Sequence, residues 1–583
     1  MTDSPRAIAL EAPLVRPKIG GENWLMRVGL GVVGVYLLIA TAFPLYAILS
    51  KSFQDKADHF VGLANYAEYF ATPALFHSIY NSLTVSVISM VITVGVAFGY
   101  AYGLTRSCMR LKWLFRAIAL IPILAPSLLP AISLRYLFGT QGMLKELMFG
   151  HSIRDPILVG IGDFTFLIPP LGIIIGEAFW TFPHALLIIV TALSLSDARL
   201  YEAAESLGTS KLRTFFTVTL PGAKYGLISA CFVVFTLVIT DFGVPKVVGG
   251  QYNVLAVDVY KQVIGQQNFQ MGAVVGMVLL APALLAFTAD RLVQRRQVAL
   301  LTARAVPYEP KPSRRFDGTM LAFCGVVSFA ILGILATAQY AALVKLWPYN
   351  LSLTLYHYDF DLRDGGSWGA MINSLQMASW TAVVGTAIIF TGAYLVEKSK
   401  GFEQGRALIQ LMCMVPLAVP GIVLGLAYIF FFNHPANPLG FIYGTMAILV
   451  ICTITHFYTV SHLTAVTALK QMDPEFEAVS SSLKVPFYKT FARVTVPVCL
   501  PAILDISVYL FVNAMTTVSA VIFLYASDTQ LASVAVINMD DAGEIASAAA
   551  MAMMIVYTSA GVRLLHFLFT RGLARRAQAW RKR

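Results

Sequence analysis

One short segment of the sequence carries the residue types of a rigid charged helix between two apolar stretches. Glu202, Ala203 and Ala204 favour a helix. Gly208 follows, where a residue without a β-carbon can end the helix in a left-handed turn at low cost. Pro221 suits the first turn of the next helix, because proline lacks an amide hydrogen that a helix start would leave unbonded. The pattern predicts a short rigid helix that another protein can contact and move, and it predicts no covalent chemistry.

The segment recurs with changes later in the chain. Residues of the two copies match at one constant spacing: Asp197 with Asp473, Leu207 with Leu483, and Pro221 with Pro497. The second copy contains Glu477 and Ala478, but Glu477 falls one place early and Lys484 stands where the first copy has Gly208. We therefore expect a second short helix whose contact with a partner differs from the first.

Some polar side chains lie within long apolar stretches and are candidates for lining a solute pathway: Glu177, Asp241, His456 and Asn513. Ionisable side chains are costly in lipid and usually face a cavity or a partner. His456 and Asn513 occupy positions that hold apolar residues in the first half, which predicts an asymmetric pathway. The alternative is that these side chains only bond to neighbouring helices.

Motifs for nucleotide binding or catalysis are absent from the sequence. It contains no GxxxxGK[ST] phosphate loop, no HExxH and no GxSxG. The six cysteines are far apart and form no CxxC pair, so they are interpreted as packing residues. We predict no catalytic residue, no metal site and no cofactor in this chain.

The elements that must position these residues follow from composition. The 583 residues are 57% hydrophobic and only 13% charged, against roughly 25% charged in soluble domains. This composition excludes an ordinary soluble enzyme or a nucleic-acid-binding protein and indicates an all-α integral membrane protein with about twelve transmembrane helices. Single spans are expected over 114–138, 406–432, 440–466 and 499–524, among others.

The distribution of charge predicts the orientation in the membrane. With the N-terminus in the cytoplasm and alternating spans, most of the 42 lysines and arginines fall in cytoplasmic loops. Both termini are then cytoplasmic. The net charge of +11 is explained by this rule, and no nucleic-acid partner is needed.

The chain contains an internal duplication. Asn81 recurs as Asn373 and Arg106 as Lys398 at one spacing, in addition to the matches between the two loops. An even number of helices per half predicts parallel repeats that enclose a cavity. The predicted domains are an N-terminal tail (1–26), a first membrane domain (27–292), a linker (293–317), a second membrane domain (318–570) and a basic tail (571–583).

The loop from Glu202 to Pro221 resembles the EAA loop of type I permeases from binding-protein-dependent ABC importers. In that family the loop forms a coupling helix that docks on a cytosolic ATPase. The resemblance implies coupling roles for Glu202, Ala203, Ala204, Gly208, Pro221, Glu477, Ala478, Leu483 and Pro497. It also implies two ATPase copies, which would bind ATP and Mg²⁺, and a solute-binding protein as partners. The implied location is the bacterial cytoplasmic (inner) membrane.

The fusion of two halves in one chain is typical of two branches of this family, the ferric-iron and the 2-aminoethylphosphonate permeases, so the resemblance implies two candidate solutes. The stretch from Thr240 to Gly250 resembles 2-aminoethylphosphonate permeases, which makes that phosphonate or a related one the expected solute. Ferric iron is the alternative within the same class. A secondary transporter driven by an ion gradient is the rival from another class.

Overall fold

The computed structural model describes residues 21–148, 153–161, 164–295, 306, 308–399 and 402–577. The helices of the first half are α1 Gly21–Leu37, α2 Phe43–Ser52, α3 Ala64–Ala71, α4 Pro73–Arg106, α5 Lys112–Leu120, α6 Leu128–Phe138, α7 Leu171–Ser194, α8 Ala198–Ser206, α9 Lys211–Thr214, α10 Leu220–Thr240, α11 Gly243–Val248, α12 Leu255–Tyr260 and α13 Phe269–Arg295. Those of the second half are α14 Arg314–Leu343, α15 Trp368–Lys398, α16 Glu403–Met414, α17 Gly421–Phe432, α18 Met446–His456, α19 Tyr458–Lys470, α20 Glu475–Ser482, α21 Phe487–Thr490, α22 Val496–Val498, α23 Leu500–Thr516, α24 Ala532–Asp541 and α25 Ile545–Ala577.

The long helices are apolar along most of their surface, as expected of segments that lie in lipid. They are helical because lipid offers the backbone no hydrogen-bond partner. In the described residues, eight helices are long and apolar enough to cross a membrane, or up to twelve if each bent pair counts as one span. The predicted number of about twelve therefore holds only when bent pairs are counted as single spans.

Four predicted spans are not straight. The stretch predicted as 114–138 bends by 103° and that predicted as 406–432 by 114°. In each, a short 3-10 turn, Ile121–Leu124 or Val415–Ala418, ends just before Pro126 or Pro420. Proline cannot donate to the preceding turn and disfavours helix in the residue before it, which explains the break.

The other two bends lie in the second half. The span predicted as 440–466 bends by 57° between α18 and α19. The one predicted as 499–524 was wrong in extent: α23 ends at Thr516, and a bend of 76° precedes Leu500.

The first helices of the two halves are exchanged. Helices α1 and α2 pack on α15, α16 and α17, whereas α14 packs on α4, α5 and α6. Each half is thus completed by the first helix of the other. Together the halves share one continuous core of buried apolar side chains.

The two ends of the bundle differ. Helices α8 and α20 lie at one end, here named the loop face. At the other end, named the hairpin face, β1 (Ile157–Ile161) pairs with β2 (Phe164–Ile168), and β3 (Val344–Leu346) with β4 (Asn350–Leu353), both antiparallel. Helix α7 runs from just after β2 to just before α8, so it connects the two faces.

Candidate functional site

The first loop forms the predicted short helix, α8. The Asp197 carboxylate accepts the Arg199 amide and so satisfies a donor at the helix start. Gly208 has φ +67° and follows the end of the helix, the conformation for which glycine is favoured. Glu202 and Ala203 are exposed, Ala204 is buried, and Leu207 is 81% exposed. These exposed side chains form part of the loop face, and Pro221 lies in the first turn of α10.

A part of the linker lies against α8. The Ala198 amide donates to the Val306 carbonyl at 2.9 Å. Lys311 pairs with Glu205 at 2.6 Å, and this pairing raises the pKa of the Lys311 ammonium. We name the described linker residues Val306 and Tyr308–Lys311 the strap.

Arg106, at the end of α4, joins the strap to α8. Its guanidinium donates to the Leu193 carbonyl at 3.0 Å and to the Tyr201 hydroxyl at 3.1 Å. It also lies 4.4 Å from the ring centre of Tyr308, whose own ring is 4.4 Å from that of Tyr201. Burial raises the pKa of the Tyr308 phenol, and the face of its ring is positioned for a cation–π contact with the guanidinium.

Replacing Tyr308 by alanine is expected to loosen the strap. The cation–π contact and the ring pair together contribute roughly 1–3 kcal/mol, so local opening should increase by roughly five-fold to a hundred-fold. Amide hydrogen exchange of residues 308–317 measures this. Tyr308→Phe keeps both ring contacts and serves as the control; equal exchange in Tyr308→Ala and the unmodified chain would contradict the strap.

The second loop forms α20, and its contacts differ from those of α8. Lys484 has φ +52°, so a lysine adopts the left-handed turn that Gly208 adopts in the first copy. Glu477 pairs with Lys398 at 2.7 Å. These two residues match Tyr201 and Arg106 by position, so an ion pair stands where the first half has an arginine–tyrosine contact. Ala478 is exposed, and Leu483 is 70% exposed.

Pro497 completes the second loop. It lies in the short helix α22, just before the bend that precedes α23. The coupling roles predicted for the residues of both loops remain predictions.

Among the candidate pathway residues, Glu177 and Asp241 are brought together. Glu177 on α7 is 0% exposed, and neither of its oxygens has a hydrogen-bond partner of regular geometry in the described structure. Its carboxyl group interacts with that of Asp241, which follows α10. Asp241 also accepts the Val244 amide at 2.8 Å and the Ser127 hydroxyl. Because Ser127 directly follows the first break, the acid pair lies at that bend.

The other two candidate pathway residues lie in the second half, at positions that do not match Glu177 and Asp241. His456 lies beside Gly421, next to the second break, and its Nδ1 has no partner among the described residues. Asn513 donates to the Tyr509 carbonyl of its own helix at 2.8 Å. This bond within one helix tests neither the pathway role nor the alternative of bonding to neighbouring helices. No group of three or more His, Cys, Asp or Glu in the described residues is arranged to hold a metal ion.

A serine and a glycine exchange places between the two breaks. In the first half a β-carbon on Gly243 would collide with the Ser127 hydroxyl, and in the second a β-carbon on Gly421 would collide with the Ser519 hydroxyl. The two bends are therefore packed by the same kind of close contact with the partners reversed.

Comparison with known proteins assigns the family. Residues 91–299 and 388–575 each match the binding-protein-dependent transport system inner membrane component family. The chain belongs to this family. The predicted membership, the all-α integral membrane fold and the two repeats are confirmed.

Individual relatives are permeases. A ferric transport system permease of Actinobacillus pleuropneumoniae is 27% identical over 78% of this chain and 65% of its own length. One of Haemophilus influenzae is also 27% identical, over 73% of this chain and 67% of its own length. A spermidine/putrescine transport system permease of Escherichia coli is 25% identical over 42% of this chain and 90% of its own length. The chain thus matches about two thirds of the length of the ferric relatives.

The two repeats of the permease are joined at the hairpin face by ion pairs that the sequence did not predict. Arg135 on α6 contacts Asp540 at 2.5 Å, and Lys246 on α11 contacts Asp541 at 3.1 Å. The Asp540 side chain is only 9% exposed. The position matching Arg135 in the second repeat is Ile429, near the contact of Phe430 with Phe269. One seam between the repeats is therefore ionic and the other apolar.

Reversing one charge of the ionic seam should favour separation of the repeats at the hairpin face. Arg135→Glu places two carboxylates together, and a change of about 1.4 kcal/mol would shift the opening equilibrium about ten-fold. The expected result is faster amide hydrogen exchange in α6 and α24. Adding Asp540→Arg should restore the pair and the slow exchange; a double variant that exchanges as fast as the single one would contradict the seam.

Proposed function

We propose that this chain is the permease subunit of an ATP-driven importer that carries ferric iron. The similarity to ferric transport permeases over most of the chain carries this proposal. The two exposed loop helices support the ATP-driven part, because each offers a partner a short rigid element to push. In this proposal the chain itself binds no nucleotide, and separate ATPase subunits bind ATP and Mg²⁺.

The charges inside the bundle favour a cation over a phosphonate anion. Glu177 and Asp241 place two carboxyl groups together at a bend in the apolar interior. By contrast, Arg135 and Lys246, basic residues that an anion could use, are each paired with an aspartate. The solutes in the names of the relatives, ferric iron and the polyamines, are also cations. Ferric iron prefers hard oxygen ligands such as carboxylates.

The proposed assembly has two ATPase copies at the loop face, one on α8 and one on α20. A solute-binding protein docks at the hairpin face. The positive-inside distribution supports an orientation with the loop face and both termini in the cytoplasm of a bacterial cell. Closure of the ATPase pair would then move the loop helices and rock the repeats about their shared core, a rigid-body switch between two packed states.

Uptake by the host strain tests the solute. The gene is deleted and then restored, and uptake of labelled ferric iron and labelled 2-aminoethylphosphonate is measured in parallel. Loss and recovery of iron uptake alone is the expected result. Loss of phosphonate uptake alone would overturn the iron assignment in favour of the phosphonate, and no change in either would exclude both solutes.

A further inference from the structure

The loop helices α8 and α20 match by sequence position but are covered differently. Ala198 and Ala204 are buried in α8. None of the eight residues of α20 is buried, and Phe476, Val479 and Leu483 are all exposed. Part of the cover on α8 comes from the strap. Among the described residues, no segment equivalent to the strap covers the corresponding surface of α20.

The strap has a definite place in the topology. It directly precedes α14, the first helix of the second repeat, and α14 packs on the first repeat. The segment that enters one repeat thus covers the loop helix of the other. Val306 supplies two backbone contacts to this cover, accepting from the Ala198 amide at 2.9 Å and donating to the Asp197 carboxylate at 3.4 Å.

The same topology brings the start of α1 towards α20. Helix α1 is the first helix of the first repeat, and it packs on α15 and α16 of the second repeat. Near its start, Arg27 lies over the ring of Phe402 at 6.0 Å. Lys398, only four residues before Phe402, pairs with Glu477 of α20. The chain therefore enters α1 close to the second loop helix.

The sequences that precede α14 and α1 also match. Pro310-Lys311 of the strap is matched by Pro17-Lys18, within one residue of the spacing that relates Asn373 to Asn81. The acceptor is also repeated: Asp473 accepts the Glu475 amide at 2.9 Å, as Asp197 accepts the Arg199 amide. Residues 1–20 lie outside the described part of the chain.

We infer that residues 1–20 dock on α20 as the strap docks on α8. The occupant is this segment of the same chain, with Lys18 at the place that Lys311 takes on the first helix. One contact must differ, because Pro474 matches Ala198 and has no amide hydrogen to donate. Docking on α20 therefore relies on the Asp473 carboxylate and on side chains. Each loop helix would then be tied to the first helix of the opposite repeat.

Cysteine cross-linking in the complete transporter tests this inference, with exposed Cys108 replaced by serine. The test pair is Lys18→Cys with Ser481→Cys, because Ser481 matches Glu205. Lys311→Cys with Glu205→Cys is the matched control, since the structure places those side chains in contact. Lys18→Cys with Glu205→Cys reports docking on the wrong helix. A short bis-maleimide is added to membranes, and linked peptides are identified by mass spectrometry.

The test pair is expected to link at a rate comparable to that of the control pair. It should link at least about ten-fold faster than the wrong-helix pair, because a docked segment has a high effective concentration at its own site. Faster linking of Lys18→Cys to position 205, or linking to neither helix while the control pair links, would overturn the inference. The cross-linking readout does not depend on the solute, so it tests this inference independently of the proposed iron transport.

Discussion

Iron uptake is expected to fall by roughly ten- to a hundred-fold when Glu177 is replaced by glutamine. A contact between charged groups contributes roughly 1.5–3 kcal/mol, which corresponds to that range in rate. Two carboxyl groups held together away from water need a counter-charge, either a proton or a cation. On the proposed function, a passing ferric ion supplies that charge, and glutamine removes half of the negative site while keeping its shape.

Asp241→Asn should have a similar effect for the same reason. The asparagine oxygen can still accept the Val244 amide, so the backbone turn is preserved. Uptake of labelled iron is measured beside the amount of protein in the membrane, so that poor folding is recognised. Glu177→Asp keeps the charge and is expected to retain part of the uptake.

Thr453 provides the matched control for Glu177. It occupies the corresponding position in the second repeat and is equally buried, but it carries no charge: its hydroxyl donates to the Leu449 carbonyl of its own helix at 2.7 Å and lies 3.8 Å from the Met377 sulfur. Thr453→Val should leave uptake unchanged. If Glu177→Gln and Asp241→Asn transport iron at the unmodified rate, the acid pair does not lie on the pathway.

The sequence predicts those features of this fold that depend on local pattern. Span length follows from the apolar runs, and the ends of α8 follow from Asp197 and Gly208, which act within a few residues of their own position. The duplication is visible because polar and proline matches keep their order. These are short-range signals, and they specify the family and both loop helices.

The features that were missed depend on distant contacts. Glu177 and Asp241 each stand out in an apolar stretch, but nothing local shows that their carboxyl groups meet. The exchange of α1 and α14 between the repeats, the strap on α8 and the pair of Arg135 with Asp540 all join segments far apart in sequence. A partial signal existed for the strap, since the match of Arg106 with Lys398 marks the base of both loops.

Exchanging Glu477 for lysine is expected to abolish transport for a different reason than exchanging Glu202. Glu202 is exposed, so Glu202→Lys should leave the amount of protein unchanged and disturb only the contact with an ATPase. Glu477→Lys places a second ammonium group beside that of Lys398, whose side chain is only 15% exposed. Because the Glu477 side chain is 34% exposed, water screens the repulsion between the two charges. The expected loss of stability at α20 is about 1–2 kcal/mol, which is enough to displace this helix.

The double variant Lys398→Glu with Glu477→Lys separates the two explanations. If Glu477 acts by holding α20 in place, reversing both charges restores the ion pair and should recover most of the uptake and the normal amount of protein. If Glu477 acts by direct contact with the ATPase, the double variant stays inactive, because the partner still meets the wrong charge. No charge reversal at Arg106 should rescue Glu202→Lys, since Arg106 contacts Tyr201 and the Leu193 carbonyl instead. Restoration in the second half and none in the first would show that the two loop helices are anchored by different chemistry.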